Sequence, residues 1–115
     1  MATRKECERA IGQLCDALEQ LDPEVRRNHL PERQLSLVVT DLDLAYVGRL
    51  DGDGLHGVVP AAMEDAKQAH VRFTATSDDL VAIGRHPPAF PGAWIRGRVA
   101  VHASFRDLLE LRRLL

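Results

Sequence analysis

The first apolar pattern along the chain has the period of an α-helix. Apolar and small residues recur at steps of three and four, which places them on one buried face. The residues of this stripe are Cys7, Ala10, Ile11, Leu14, Cys15, Leu18 and Leu21. Thr3 and Glu6 form a capping-box pattern ahead of it. Asp22-Pro23-Glu24 predicts the start of a second, short helix, which should end before Pro31.

The segments that follow have the composition of β-strands. Ser36–Asp41 and Leu44–Leu50 are rich in Leu, Val and Tyr. Asp51-Gly52-Asp53-Gly54 lies between two apolar runs and predicts a tight hairpin turn. The returning strand is then expected over Leu55–Val59. Residues 61–68 show no clear period, and we expect a loop or a single helical turn there.

The alternation of apolar and polar positions returns in Ala69–Thr76 and predicts a half-buried strand. A short helix is expected over Asp78–Ile83. Thr76 and Asp79 fit a capping box at its start, and Gly84 is expected to end it.

The rest of the chain is predicted as an irregular segment, a strand and a helix. The prolines of residues 86–92 exclude a regular helix in this interpretation. Ile95–Ala103 alternates and predicts the last strand. Ser104 and Asp107 then form a third capping-box pattern, before a terminal helix over Phe105–Leu115 that carries five leucines.

The order of these elements predicts an α+β fold, because the strands are grouped and do not alternate regularly with helices. With 115 residues, the chain is expected to form a single domain over 1–115. A helical segment over 1–30 would precede the sheet and its covering helices over 35–115.

Composition and charge exclude several classes of protein. The chain is 45% hydrophobic and 28% charged, which is typical of a globular domain. Its net charge of −2 offers no general attraction for nucleic acid. No apolar run approaches the ~18 residues of a membrane span, and no secretion-signal pattern opens the sequence. We therefore expect a cytoplasmic protein with at most transient membrane contact.

The sequence predicts no enzyme, no cofactor and no metal. It has no GxSxG, Walker or GxGxxG pattern. Cys7 and Cys15 would lie ~12 Å apart along a helix, too far for a disulfide. The five histidines are scattered, and only His70 and His102 support an alternative acid–base or metal role, provided that their strands pair.

The terminal helix carries apolar residues around most of its circumference, so it needs a second apolar partner besides the sheet. That partner could be a ligand, a bilayer or another subunit, and the alternative is a helix end that is simply covered by the N-terminal helix. Arg96, Arg98, Arg106, Arg112 and Arg113 make the same region basic. A solvated surface explains these arginines, and a rim that meets lipid headgroups is a second interpretation.

Several motifs together resemble the sterol carrier protein type-2-like domain family, in particular its short bacterial members. They are Asp41-Leu42-Asp43, Tyr46, Gly48-Arg49-Leu50, Asp78-Asp79-Leu80-Val81-Ala82-Ile83, Phe90, Ala93-Trp94, Gly97-Arg98-Val99 and Ser104 with Asp107-Leu108-Leu109 and Leu111. The resemblance covers residues 35 to 115. Asp22-Pro23, Arg27 and His29 extend it into the N-terminal part. The sequence departs from the family pattern at Pro87, Pro88 and Pro91, so we expect a tunnel opening of different shape.

The resemblance implies a five-stranded, mostly antiparallel or mixed sheet covered by helices, with an apolar tunnel walled by the terminal helix. It implies non-catalytic binding or carriage of a sterol, fatty acid or fatty acyl-CoA by a monomer or homodimer. The expected lipid-binding residues are Tyr46, with a polar tip, and Phe73, Ile83, Phe90, Trp94, Val99, Val101, Phe105 and Leu109. The alternative is a ligand-free interaction module or homodimerising scaffold that uses the leucine-rich terminal helix.

Overall fold

A computed structural model of the chain describes residues 1–29 and 32–114. Its helices are α1 (Arg4–Glu19), α2 (Pro23–His29), α3 (Met63–Lys67), α4 (Ser77–Arg85), α5 (Phe90–Ile95) and α6 (Phe105–Leu114), with a 3₁₀ turn over Pro87–Ala89. Its strands are β1 (Arg33–Val39), β2 (Leu44–Asp51), β3 (Gly54–Pro60), β4 (Val71–Ala75) and β5 (Val99–His102). None of the helices in the described part of the chain has the length and apolar character needed to cross a bilayer.

The five strands form one mixed sheet in the order β3-β2-β1-β4-β5. Antiparallel pairing joins β1 to β2, β2 to β3 and β4 to β5, whereas β1 and β4 are parallel. The two-residue turn between Asp51 and Gly54 is the hairpin turn that the sequence predicts. The predicted α+β class and mixed five-stranded sheet are therefore confirmed.

One face of the sheet packs against α1 and α4 and forms most of the core. Leu35, Leu37 and Val39 alternate along β1 on this face, where the register places Leu37 between Tyr46 and Phe73. The opposite face carries the buried Ser36, and α3 packs against β1 and β2. The two-fold period of a strand thus gives each face its own helical cover.

The helices α1 and α4 approach each other closely at Gly84. A Cβ atom at this position would lie only 2.6 Å from the Ala10 Cβ. Helix α4 continues past this residue to Arg85, so the prediction that Gly84 ends the helix is wrong. Glycine is required here because the two backbones leave no room for a side chain, and not because the chain turns.

A polar bridge joins the start of α1 to the start of α4. The Ala2 backbone N–H donates to Ser77 Oγ over 3.0 Å, and Ser77 Oγ donates to Asp41 Oδ2 over 2.6 Å. The Ser77 backbone N–H also donates to Asp41 Oδ1 over 2.8 Å. These hydrogen bonds from Ser77 hold the pKa of the Asp41 carboxyl below its usual value. The bridge fixes both helices to the β1–β2 turn that carries Asp41.

Two further expectations are corrected in the proline-rich region. Residues 87–95 are helical, as the 3₁₀ turn and α5, because Pro87 and Pro91 occupy first-turn positions whose N–H groups need no helical acceptor. The last strand then begins at Val99 and not at Ile95, after a turn in which Gly97 has a φ of 77°.

The first strand starts at Arg33, earlier than the predicted Ser36, and ends before Asp41.

Most of the other predicted boundaries are confirmed. The capping box of Thr3 and Glu6 is present at α1. The Asp79 N–H donates to the Thr76 side chain at the start of α4, and the Asp107 N–H donates to Ser104 Oγ. Residues 63–67 form the short helix α3, where a loop or single turn is expected. The final residue of the predicted terminal helix, Leu115, lies outside the described residues.

We expect Gly84→Ala to destabilise the protein by about 1–3 kcal/mol, because the new methyl group must displace α1. The matched control is Gly12→Ala, since a Cβ at Gly12 meets nothing within 4 Å. That substitution in the middle of α1 should stabilise the fold by about 0.5–1 kcal/mol. Urea unfolding followed by Trp94 fluorescence measures both effects. Equal stabilisation by the two substitutions would contradict the close contact.

Candidate binding cavity

A cavity of about 580 Å³ lies between the sheet and the helical layer formed by α1, α4 and the 3₁₀ turn. Its lining residues come from both layers. They are Ile11, Leu14, Ala17, Leu18, Gln20, Leu21, Leu35, Leu37, Tyr46, Val47, Gly48, Leu50, Leu55, Val58, Phe73, Ala75, Leu80, Ile83, Pro87, Pro88, Phe90 and Val99. Only Gln20 and Tyr46 in this set have polar side chains, so the wall is almost entirely hydrocarbon.

The cavity is closed at one end and open at the other. Ile11, Leu80 and Ile83 line its inner end and are buried. Gln20 and Pro88 also line it, but both are exposed. The opening therefore lies where α1 ends, beside the 3₁₀ turn. A guest that enters there meets Gln20 first and hydrocarbon beyond it.

The hydroxyl of Tyr46 is bound to α1. The residue is only 3% exposed, and its Oη donates to Glu8 Oε2 over 3.0 Å. Glu8 also accepts from Arg4 Nε over 3.2 Å. Burial, together with the neighbouring Glu8 carboxylate, raises the pKa of Tyr46 to about 12. The hydrogen bonds from Arg4 and Tyr46 lower the pKa of Glu8. Tyr46 thus lines the cavity while its polar tip is already bound by Glu8.

An aromatic row extends from the cavity wall towards the surface. The Phe73 and Phe90 rings both line the cavity and meet edge to face, with centroids 6.0 Å apart. Phe90 in turn contacts Trp94, with centroids 5.9 Å apart. Trp94 is the only tryptophan of the chain. Its emission is therefore sensitive to what fills the cavity behind Phe90.

Five of the residues predicted to bind lipid lie together around this cavity: Tyr46, Phe73, Ile83, Phe90 and Val99. The other four lie outside the lining set. Trp94 contacts Phe90, and Val101 packs beside Ile83 and Val99. Phe105 is 78% exposed and Leu109 is 40% exposed. A role for any of the nine in binding lipid stays a prediction.

Sequence reasoning missed the contribution of α1 and of the β2–β3 hairpin. Leu14, Leu18 and Leu21 belong to the apolar stripe that the sequence showed, but their place in the cavity wall depends on how α1 lies over the sheet. The signal for Leu50 and Leu55 was their symmetric position about the hairpin turn, which pairs them directly. Both residues lie on strands and line the cavity from the face of the sheet that α1 covers.

The terminal helix is held beside the cavity by an ion pair. Asp107 in α6 is only 4% exposed, and its Oδ2 lies 3.3 Å from Arg33 Nε at the start of β1. Helix α6 also contacts α2. In the described part of α6, no residue is among those that line the cavity, whereas the resemblance implied a wall formed by this helix. For Leu111 and Leu114 the structure describes the backbone alone, and Leu115 lies outside the described residues.

The two histidines of the acid–base alternative are not paired in the sheet. The register of β4 and β5 places Arg72 opposite His102. His70 precedes β4, and its Nδ1 accepts a hydrogen bond from the Gln34 N–H over 3.2 Å. Within residues 1–29 and 32–114, no group of three or more His, Cys, Asp or Glu side chains could hold a metal ion.

Comparisons with known proteins support the fold. No protein-family model and no curated protein matches the chain. The solved structures that it resembles include Sterol Carrier Protein 2 Like 2 from Aedes aegypti, with 16% identity and a TM-score of 0.64, covering 97% of this chain and 98% of that one. The same mosquito protein was also solved in palmitated form, again with 16% identity and a TM-score of 0.64, covering 93% and 91%.

A second match, the ubiquinone synthesis protein domain UbiJ-SCP2, has 14% identity and a TM-score of 0.58, and covers 88% and 85%. The chain has the sterol carrier protein 2-like fold. The predicted resemblance is confirmed at the level of the fold. The same fold unit occurs within a larger enzyme, the sec-alkylsulfatase Pisa1 from Pseudomonas sp., with 22% identity and a TM-score of 0.56. That match covers 89% of this chain, which spans only 15% of the length of the alkylsulfatase.

The position of Tyr46 in this sterol carrier protein 2-like fold can be tested by alkaline titration, because it is the only tyrosine. We expect tyrosinate absorbance to appear with a midpoint near 12 in the folded protein, against about 10 in the unfolded chain. Because the folded pKa is the higher one, the stability that this residue contributes is complete below pH ~10 and is lost as the pH rises towards 12.

Glu8→Gln removes the carboxylate next to the phenol but leaves its burial unchanged. The midpoint should therefore fall below that of the unsubstituted protein and stay above the ordinary value, since burial is the larger cause. A folded protein whose tyrosine titrates at the ordinary value would show that Tyr46 is not buried against Glu8.

Proposed function

We propose that the chain binds an apolar lipid in the cavity and carries it without changing it chemically. The observation that carries this proposal is the cavity itself, which has about 580 Å³ of space, a hydrocarbon wall and one open end. This volume lies within the range of ~300–1,000 Å³ that is typical of small-molecule sites.

The guest is proposed to be a single-chain or sterol-like lipid: a sterol, a fatty acid or a fatty acyl-CoA. An apolar body suits the hydrocarbon wall, and a polar end would lie at the opening, near Gln20. The palmitated form of the Aedes aegypti protein supports an acyl chain as one such guest. A carboxylate or other charged group would stay in water at the opening, because burying an unpaired charge is costly.

The expected binding free energy favours a protein that carries and releases its guest, and not one that stores it permanently. Removing ~300 Å² of apolar lipid surface from water gains ~7–8 kcal/mol. The loss of translational and rotational freedom costs at least ~4 kcal/mol. No more than ~3–4 kcal/mol remains, which corresponds to a dissociation constant of about 1 mM or weaker for a guest of this area. A guest bound this weakly would dissociate readily and could be passed on.

Binding without catalysis is proposed because the residues around the cavity offer no chemistry. Tyr46 has its hydroxyl bound by Glu8, and Gln20 carries a neutral amide. His70 and His102 are not among the lining residues. The similarity to the alkylsulfatase does not change the proposal, since the shared unit is a small part of that enzyme.

The proposal predicts that filling the cavity abolishes binding. Ala17 lines the cavity from α1, and Ala17→Phe places a ring in that space. We expect the affinity for a fluorescent fatty acid to fall at least tenfold. The matched control is Ala82→Phe on α4, an exposed position outside the lining set. The carrier proposal fails if the two variants bind equally well, or if the folded wild type binds no lipid and retains none in native mass spectrometry.

A second prediction concerns the location of the guest. A brominated fatty acid should quench the emission of Trp94, because bromine in the cavity would lie behind Phe90, whose ring contacts Trp94. The matching unbrominated acid should compete for the site without quenching. If the brominated acid displaces a fluorescent probe yet leaves Trp94 emission unchanged, the guest is bound elsewhere.

A further inference from the structure

Helix α6 exposes apolar side chains and buries a charged one, the reverse of an ordinary surface helix. Phe105 is 78% exposed and Leu109 is 40% exposed, whereas Asp107 is 4% exposed. Positions 105, 109 and 112 follow the i, i+4, i+7 spacing, so Arg112 continues the face of Phe105 and Leu109. We call Phe105, Arg106, Leu109 and Arg112 the outer face of α6.

Among its described side chains, helix α6 carries two exposed positive charges and one half-buried carboxylate, Glu110, besides Asp107. Arg106 and Arg112 are both exposed. The carboxylate of Asp107 points inwards and is paired with Arg33. A helix that presents Phe and Leu together with arginines has the character of helices that lie in the interface of an anionic bilayer.

The outer face of α6 is close to the opening of the cavity. Asp107 contacts Arg33, which pairs in register with Leu50 and is two residues from Leu35. Leu35 and Leu50 both line the cavity. Gly54, across the hairpin turn from Leu50, lies beside Leu18 and Glu19 at the end of α1. Helix α6 is thus attached at the end of the sheet at which α1 finishes and the cavity opens.

We propose that the outer face of α6 docks the protein on an anionic phospholipid surface, with the opening of the cavity next to the bilayer. This inference rests on the proposed lipid carriage and names the surface from which the guest is taken or to which it is delivered. Phe105 and Leu109 enter the boundary between headgroups and acyl chains. Arg106 and Arg112 meet the phosphate and serine carboxylate groups. The arginine contribution weakens as salt is added, because exposed charges are screened.

Vesicle co-sedimentation tests the docking surface. We expect the wild type to bind vesicles of phosphatidylcholine with phosphatidylserine more tightly than vesicles of phosphatidylcholine alone. Arg106→Gln with Arg112→Gln should lower binding to the anionic vesicles about thirtyfold. Phe105→Ser with Leu109→Ser should lower binding to both kinds of vesicle, by at least tenfold on the anionic ones.

Two matched controls lie elsewhere on the molecule. Val59→Ser removes an apolar side chain that is 51% exposed on β3. Lys5→Gln with Arg9→Gln removes two exposed positive charges from α1. Both controls should leave vesicle binding within twofold of the wild type. If a control weakens binding as much as the α6 variants do, docking through α6 is wrong.

Binding of a fluorescent fatty acid without vesicles separates this inference from the proposed function. The α6 variants should bind the probe as the wild type does, since neither Phe105 nor Leu109 lines the cavity. A wild type that binds the probe but no vesicles overturns the docking surface alone. A wild type that binds vesicles through α6 but takes up no probe overturns the carriage alone. A dimer that Phe105→Ser with Leu109→Ser dissociates, without vesicle binding, assigns the face to a second copy of the chain.

Discussion

The contact of α1 with α4 at Ala10 and Gly84 fixes how these two helices lie over the sheet. At that point the Ala10 methyl group lies directly against the backbone of Gly84. The bridge of Ala2, Ser77 and Asp41 holds the same end of the helical layer to the sheet. At the other end, α1 packs against the β2–β3 hairpin, where Leu18 contacts the cluster of Leu35, Leu50 and Leu55. Leu14 and Leu18 also line the cavity. The cavity therefore lies beneath a helix that is held to the rest of the molecule at both of its ends.

The size of the cavity bears on whether it can stand as a dry void. Cavities left by truncated core side chains cost about 24 cal/mol per Å³. At that rate a sealed void of this volume would cost about 14 kcal/mol, as much as the whole stability of an ordinary domain. The open end resolves the conflict, because solvent or an apolar guest can occupy the space. A guest is the better occupant, since water gains little from a hydrocarbon wall.

Local patterns in the sequence were enough for the order of the strands and the main helices, whereas the single five-stranded sheet was implied by the family resemblance. The stripe from Cys7 to Leu21, the turn at Gly52 and Asp53 and the alternation around Phe73 each depend on neighbouring residues, which a single sequence displays. The position of Gly84 could not be interpreted in this way, because its role depends on Ala10, far away in the chain. The helix after Pro87 was missed because prolines that begin a helix resemble prolines that interrupt one.

The candidate site could be predicted only in part for the same reason. Alternation identified Phe73 and Val99, which share a sheet face whatever lies above them. The contribution of α1 follows from the angle at which it crosses the sheet, and no local pattern contains that angle. Phe105 and Leu109 were expected beside the ligand because the resemblance implied a tunnel walled by the terminal helix. The Arg33–Asp107 pair turns α6 so that they face outwards.

The buried end at Ile11, Leu80 and Ile83 gives the cavity a fixed depth. A tail that just reaches these three side chains is wholly shielded from water, and each methylene up to that length adds to the binding free energy. Every further methylene remains outside the opening and adds nothing. If the cavity holds such tails, homologous tails of growing length should gain affinity up to one definite carbon number and then level off.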